Sequence, residues 1–150
     1  MSRILVKLLL SMIMGLLMSA AAHSVEDPCD KIDVTKEANQ QICATEVKVE
    51  SSNPLSKNCE AIIRGSCLYN KWCSSCHGLK ADGENRFGKY SADLTKHWRG
   101  YGGYVEIVLN GASGNIGRMP PWAGVLNVEQ INRIGAYLET LADEKKAYWK

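Results

Sequence analysis

The stretch Trp72-Cys73-Ser74-Ser75-Cys76-His77-Gly78 decides both the fold and the chemistry of this chain. Its two cysteines are three residues apart and a histidine follows the second directly. On a helix this spacing places two thiols on adjacent turns, where both can add to the vinyl groups of a haem, and the imidazole comes next as an iron ligand. The sequence therefore predicts one covalent haem c on Cys73 and Cys76, with His77 as the proximal ligand.

The methionines are distributed in a way that singles out Met119. The other four of the five methionines lie within the first 18 residues, whereas Met119 follows the haem motif and precedes Pro120-Pro121-Trp122. A six-coordinate electron-transfer haem needs one thioether beside its histidine. Met119 is therefore predicted as the distal ligand. His97 and, if it is retained, His23 are the competing ligands, and core filling is the other possible use of Met119.

The amino terminus has the organisation of an export signal. Arg3 and Lys7 precede an apolar run over residues 8–17, and small residues occupy 19–22. The apolar run is shorter than the ~20 residues that span a membrane. We therefore expect a cleaved signal peptide over residues 1–22, no stable membrane insertion and localisation in the periplasm.

Four cysteines remain outside the haem motif, an even number that suits disulfides in an oxidising compartment. Four cysteines allow three pairings. We favour the pairing that closes two short loops, Cys29–Cys43 with Cys59–Cys67. One continuous helix over residues 59–67 would separate its two sulfurs by ~12 Å, which is too far for a disulfide. Either the helix begins after Cys59 or the pairing differs.

Charge is distributed unevenly along a chain whose formal net charge is +2. Residues 23–60 carry eight acids and four bases, whereas residues 61–150 carry eight acids and twelve bases. This excess is too small for nucleic-acid binding, but it suits docking of an acidic partner protein. The basic residues near the expected cofactor are Arg64, Lys71, Lys80, Arg86, Lys89, Lys96, Arg99 and Arg118.

Local patterns divide the chain into an irregular extension, residues 23–58, and a helical domain, residues 59–150. Apolar residues recur at helical spacing from about Ala61 into the haem motif. Residues 104–109 are predicted to be a short helix because Asn110-Gly111 follows as a stop signal. Residues 111–122 are expected to form a loop that carries Met119. Asn127 and Gln130 have the spacing of a capping box at the start of a last helix.

Taken together, these motifs resemble those of the class I c-type cytochromes. The shared elements are Gly65-x-x-x-Tyr69, the haem motif, Met119-Pro120 and a C-terminal helix that ends at Ala136-Tyr137-Leu138-Glu139-Thr140-Leu141. The resemblance implies a mainly α fold in which the N- and C-terminal helices cross around the haem, with Gly65 at the crossing. It also implies one-electron transfer without catalytic residues. The family's Gly-Pro-x-Leu motif lacks its proline here, so the carbonyl that orients His77 is not identified.

A narrower resemblance is to the cytochrome c-L-like electron acceptors of PQQ-dependent methanol and alcohol dehydrogenases. The residues that carry it are the ligand loop over 111–119 with Pro-Pro-Trp, the Trp98-Arg99-Gly100-Tyr101 stretch, and the extra segment before the haem helix. It implies a quinoprotein dehydrogenase as electron donor and a downstream cytochrome or oxidase as acceptor.

Four residues are predicted to contact the haem without ligating iron. Trp98, Arg99 and Tyr101 are candidate donors to the propionates, where a guanidinium would offset negative charge. Simple packing would also explain Trp98. Trp122 is expected to pack against the ring and exclude water, which favours ferrous iron.

Other readings of the motif remain open at this point. Trp-Cys-x-x-Cys also begins thioredoxin-like redox sites, but those require strands in βαβ order, and a zinc site would require two further ligands. An open iron site would indicate a small peroxidase or gas sensor. The haem domain could also be a fixed subunit of a larger complex, or an electron carrier in another periplasmic respiratory chain.

Overall fold

The computed structural model describes residues 27–115 and 117–150, so the predicted signal segment 1–22 and His23 lie outside the described residues. Within these ranges the chain is mainly helical, as predicted. The helices are α1 (Glu37–Cys43), α2 (Cys59–Trp72), α3 (Ser74–His77), α4 (Gly100–Asn110) and α5 (Val128–Leu141), with short 3-10 helices at Pro28–Lys31 and Leu94–Lys96. The strands are β1 (Glu84–Asn85), β2 (Gly88–Lys89), β3 (Ala112–Ser113) and β4 (Arg118–Met119).

Helices α2 and α5 form the principal packing interface of the protein. They approach most closely at Gly65, where a Cβ atom would lie 1.9 Å from the carbonyl oxygen of Arg133. No side chain fits in that space, so the glycine is required by the close approach of the two backbones. The predicted place of Gly65 between the first and last helices of the haem domain is confirmed.

The ends of these two helices are fixed by side chains that the sequence identifies. The Asn58 side chain accepts a hydrogen bond from the Ala61 amide at the start of α2. At the start of α5, Asn127 and Gln130 form the predicted capping box, with both reciprocal hydrogen bonds present. These caps satisfy amides that have no partner within the helix.

Two predictions for the loops are refined by the structure. The short helix predicted over residues 104–109 is present and extends over the whole of α4. The predicted loop over residues 111–122 contains a tight antiparallel pair, in which Ala112 lies opposite Met119. Strands β1 and β2 form a second, separate pair.

After α5 the chain turns back across the segment that leads into α4. The Asp143 amide donates to the Thr95 carbonyl, and the Tyr148 amide donates to the His97 carbonyl. On the other side, the Ser52 amide donates to the Trp149 carbonyl. This tail inserts Trp149 into the main apolar cluster, where only 1% of its surface is exposed.

The N-terminal segment is more regular than predicted and is bonded differently. It contains α1 and a 3-10 helix, and its disulfides join Cys29 to Cys67 and Cys43 to Cys59. The predicted pairs, Cys29–Cys43 and Cys59–Cys67, are therefore wrong. The reason is that α2 begins at Cys59 itself, so Cys59 and Cys67 lie about two turns apart on one helix and each bonds to the extension instead.

Polar contacts add to these disulfides in holding the extension on the helices. Glu139 of α5 is buried and accepts hydrogen bonds from Ser51 Oγ (2.7 Å), Asn53 Nδ2 (3.1 Å) and Ser56 Oγ (2.5 Å). The Arg64 guanidinium donates to the Cys29 carbonyl at 3.1 Å. No helix among the described residues is long and apolar enough to cross a membrane.

Candidate functional site

The two cysteines of the haem motif lie where α2 gives way to α3. Cys73 caps the end of α2 and is half-buried, whereas Cys76 is exposed on α3. Both are free thiols, although the other four cysteines form disulfides. Burial, with the neighbouring Cys76 as a smaller cause, raises the pKa of Cys73 to about 12. Cys73 is therefore an uncharged thiol in an apolar setting, the state in which it can meet an apolar vinyl group.

The imidazole of His77 is held by a single backbone carbonyl. Its Nδ1 lies 3.0 Å from the Ala92 oxygen. A carbonyl only accepts hydrogen bonds, so Nδ1 carries the proton and Nε2 keeps a free lone pair for a metal. Burial lowers the pKa of His77, against a smaller opposing effect of the Ala92 bond, so the ring is neutral at neutral pH. Ala92 thus supplies the orienting carbonyl although the expected proline is absent.

The turn after His77 is fixed to α2 by a buried phenol. Tyr69 is fully buried and donates from its hydroxyl to the Gly78 carbonyl at 2.6 Å. Gly78 has φ +77°, and a Cβ there would lie 2.0 Å from the Glu84 carbonyl oxygen. Asn85 of β1 donates to the Cys76 carbonyl at 3.0 Å. The aromatic residue of Gly65-x-x-x-Tyr69 therefore holds the turn that directly follows His77.

Met119 lies in β4 and packs against the same apolar cluster as Cys73. Two neighbours fix its loop. Gly111 has φ +75°, and a Cβ there would meet the Met119 carbonyl oxygen at 2.6 Å. Trp122 packs edge-on against Trp72, with ring centroids 5.6 Å apart. Trp122 therefore joins the Met119 loop to the end of α2 beside Cys73.

The competing histidine, His97, is occupied by structural contacts. Its Nε2 donates to the Gly100 carbonyl at 2.9 Å, and its ring packs against Trp149 with centroids 4.9 Å apart. Burial lowers its pKa, partly opposed by the Gly100 bond. Its role in the structure is to shape the turn into α4.

The three predicted propionate donors are placed differently from one another. Trp98 is 68% exposed, and the Arg99 guanidinium stacks 5.0 Å from the centre of its ring. Tyr101 instead donates its hydroxyl to Asn132 Oδ1 at 2.6 Å. Trp98 and Arg99 are thus available for the predicted role, whereas the Tyr101 hydroxyl already has a partner in α5.

The donor set of this region fits a covalent haem. Two free thiols, an imidazole with a free Nε2 and a thioether are the groups that such a haem requires. Among the described residues, the buried side-chain polar atoms without a hydrogen-bond partner are Trp72 Nε1 and Trp149 Nε1. A thioredoxin-like site does not fit, because the strands in the described part of the chain form two separate short pairs rather than a βαβ sheet.

Sequence reasoning missed the Ala92 carbonyl in the site, and it did not predict that the indoles of Trp72 and Trp149 would be buried without a hydrogen-bond partner. Trp72 adjoins the haem motif, so its position next to Cys73 was a usable signal. Ala92 lies two residues before Leu94, in the stretch that corresponds to the family's proline motif, but nothing marked its carbonyl in particular. Trp149 follows the last predicted helix in a tail without periodicity, and no pattern indicated that it would be buried.

Comparison with known proteins supports the chemistry derived from these side chains. The family model described as cytochrome C oxidase, cbb3-type, subunit III matches residues 60–138, more than half of the chain. A curated relative, the cbb3-type cytochrome c oxidase subunit CcoP of Azospirillum brasilense, is 28% identical over 98 residues. The match covers 63% of this chain and 33% of that protein, so the chain spans about a third of the relative's length.

No solved structure matches the chain significantly. The family match covers α2, the haem motif, α4, Met119 and most of α5, which are the elements that carry the site. The chain therefore belongs to the cytochrome c family of cbb3-type oxidase subunit III domains, which carry a covalent c-type haem.

Proposed function

We propose that the protein is a periplasmic one-electron carrier whose haem iron is ligated by His77 and Met119. The observation that carries this proposal is the anchoring of His77 through Nδ1 on Ala92, which directs Nε2 away from the backbone as a ligand. When bound, the haem supplies an iron that alternates between the ferric and ferrous states. If His77 and Met119 both hold the iron, no position on the metal would remain for a substrate.

The packing around Met119 supports its role as the sixth ligand. Met119 lies against the cluster that also contacts Cys73, and the Trp72–Trp122 pair joins its loop to the haem helix. Such packing limits the movement of the loop and excludes water from the thioether. Both effects favour a closed, six-coordinate iron over an open site of the peroxidase or gas-sensor type.

Two disulfides support a periplasmic location, because such bonds persist in oxidising compartments. Export by a signal peptide over residues 1–22 is part of this proposal. The expectation that this signal is cleaved, without stable membrane insertion, also stays a prediction.

An oxidase is the partner that the comparisons favour. The relative from Azospirillum brasilense is named as a subunit of a cbb3-type oxidase, so we place this chain in electron delivery to, or within, a terminal oxidase. The predicted quinoprotein methanol or alcohol dehydrogenase donor stays a prediction, because no described contact is specific to it.

The basic surface beside the haem motif is the proposed docking face for an acidic partner. Lys80 and Lys89 are exposed next to α3 and β2, whereas Lys96 forms an ion pair with Asp93. Of the three lysines, Lys96 is therefore the one whose charge is offset within the chain, and the steering effect is assigned to Lys80 and Lys89.

Redox kinetics test both parts of the proposal. The purified protein should titrate as a reversible one-electron couple, and its ferrous form should not bind carbon monoxide. Lys80→Glu with Lys89→Glu should slow electron exchange with an acidic partner at low salt, an effect that fades at 0.15 M as the Debye length falls to about 8 Å. Lys80→Glu alone should slow the exchange more than Lys96→Glu, a matched single charge reversal at a lysine that is already paired with Asp93. Rapid carbon monoxide binding would contradict the closed iron site, and a rate unaffected by salt would contradict the docking face.

A further inference from the structure

The helix that carries the proximal ligand is a single turn. Helix α3 has four residues, and the His77 amide donates to the Cys73 carbonyl at 2.9 Å. The Gly78 amide likewise donates to the Ser74 carbonyl at 2.9 Å. A helix of this length is not stable alone, and the last carbonyls of a helix have no partner within it. The direction in which α3 presents His77 therefore depends on bonds from other segments.

Two bonds from the loop that follows α3 hold the end of this helix. The Gly83 amide donates to the His77 carbonyl at 3.0 Å. The Asn85 side chain donates from Nδ2 to the Cys76 carbonyl at 3.0 Å. Cys76 carries the second thiol of the haem motif and directly precedes His77. The Asn85 bond therefore acts on the stretch of backbone from which both the thiol and the imidazole project.

The orientation of the Asn85 amide is determined by its second bond. Its Oδ1 accepts from the Phe87 amide at 2.8 Å. A backbone N–H can only donate and a carbonyl can only accept, so the oxygen faces Phe87 and the nitrogen faces Cys76. Asn85 lies opposite Gly88 in the β1–β2 pair, so its backbone is held by the hairpin. The side chain thus links a paired hairpin to α3.

Asn85 and Ala92 act on different parts of the proximal ligand. The Ala92 carbonyl bonds to Nδ1 of the ring, so it restrains rotation of the imidazole. The Asn85 amide bonds to the peptide unit that joins Cys76 to His77, so it restrains the main chain that carries the ring. A ligand that is held both at its ring and at its backbone meets a metal in one orientation.

We propose that Asn85 is a positioning residue for the proximal ligand, and that its side-chain amide sets the direction in which α3 presents His77 to the haem iron. Without this N–H donor, the Cys76 carbonyl loses its partner and the single turn of α3 is free to reorient. The inference rests on the proposed role of His77 as an iron ligand, and it does not depend on the identity of the sixth ligand.

Asn85→Asp tests this role with little change in the shape of the side chain. The carboxylate keeps an acceptor for the Phe87 amide, but it places a second oxygen against the Cys76 carbonyl, where no hydrogen bond can form. The hairpin can therefore stay paired while the bond to α3 is lost.

Asn70→Asp is the matched control for this change. Asn70 is exposed on α2, shortly before Cys73, and its bond to Ser74 uses the backbone carbonyl rather than the side chain. Both variants therefore replace an asparagine near the haem motif and add the same charge. They differ in whether a side-chain bond to α3 is lost.

Proton NMR of the ferric holoproteins gives the readout, because the shifts of the haem methyl groups depend on the orientation of the axial imidazole plane. Asn85→Asp should change the spread of the methyl shifts, and Asn70→Asp should leave it unchanged. Cys43→Ser with Cys59→Ser, which lowers stability away from this loop, should also leave it unchanged. The same methyl pattern in Asn85→Asp as in Asn70→Asp would overturn the proposal.

The unmodified protein gives a second measurement, which holds even if Asn85→Asp fails to load haem. In the ferrous state, a scalar coupling across the hydrogen bond should join Asn85 Nδ2 to the Cys76 carbonyl carbon. Its absence from a spectrum that resolves such couplings for the backbone bonds of α2 would overturn the proposal. Absence of shifted His77 ring protons from the ferric protein would instead contradict His77 as a ligand, so failure of the proposed function is distinguishable.

Discussion

Two regions of the molecule, the N-terminal segment (residues 27–58) and the haem domain (residues 59–150), can be compared. They differ in whether their cysteines and polar side chains have partners within the described polypeptide. The segment forms two disulfides with α2, and its Ser51, Asn53 and Ser56 side chains all bond to Glu139. The haem domain contains the free thiols and the unpartnered indoles of the described residues. The cysteines of the segment are therefore all used within the polypeptide, whereas the domain keeps two thiols that a covalent haem requires.

This difference separates what stabilises the fold from what performs the function. Contacts of the segment can be removed at a cost in stability without changing the ligands of the iron. Removal of the Cys73 and Cys76 thiols, in contrast, should abolish covalent haem attachment. Variants in each region therefore distinguish the two roles.

The largest effect is expected from Cys73→Ala combined with Cys76→Ala. Each thiol forms one bond to the haem, so the double variant should contain no covalent haem. Denaturing gels stained for haem-dependent peroxidase activity measure this directly. Cys43→Ser with Cys59→Ser is the control that removes two other cysteines and should keep the stain. Release of intact haem b from the unmodified protein by acid–acetone would contradict covalent attachment.

Removal of the Cys29–Cys67 disulfide tests the covalent attachment of the segment. This bond closes a sequence separation of 38 residues, for which chain entropy predicts a loss of about 4 kcal/mol in unfolding free energy. The Cys43–Cys59 bond closes 16 residues, with an expected loss of about 3 kcal/mol. Denaturant unfolding of the two double Cys→Ser variants gives both values, and the first should be the larger.

Peptide mapping of the oxidised protein checks the same pairing without a variant. The peptide that contains Cys29 should be linked to the peptide that contains Cys67. A link from Cys29 to Cys43 would show that this disulfide lies within the segment, as the sequence first indicated. The segment would then not be joined to α2 through Cys29.

A smaller loss is expected from Glu139→Ala, which breaks the polar contact between the two regions. Ser51, Asn53 and Ser56 would lose their shared acceptor, at a cost of about 3 kcal/mol in unfolding free energy. Glu129→Ala on the exposed side of the same helix is the control, with an expected change within about 0.5 kcal/mol. Denaturant unfolding with unchanged haem absorbance measures the effect. Equal losses in both variants would show that Glu139 does not join the regions.

The sequence predicted the parts of the fold that follow from local rules. Helix α5 was predictable from its capping box and apolar stripe, and the close approach at Gly65 from the family motif. The disulfide pairing was not predictable in the same way, because it depends on where the extension folds back onto α2. The predicted pairs were favoured because they close short loops, and the helix geometry that counted against Cys59–Cys67 proved decisive.

The candidate site likewise combines residues that a local motif identifies with groups that only the tertiary fold brings into place. Cys73, Cys76 and His77 form a contiguous motif whose chemistry can be read directly from its spacing. The Ala92 carbonyl comes from a loop 15 residues further along the chain than His77, and its position depends on tertiary packing. Backbone carbonyls also carry no sequence signature, so the sequence could not indicate that the Ala92 carbonyl holds the His77 ring.

The most direct test of the account is the absorption spectrum of the oxidised protein with and without Met119. A His/Met iron is expected to show a weak long-wavelength ferric band, the marker of bonding between sulfur and iron. Met119→Ala should erase that band and allow the ferrous protein to bind carbon monoxide, whereas His97→Ala should keep the band. A band that survives in Met119→Ala, or one that is lost in His97→Ala, would contradict the His77/Met119 electron carrier proposed here.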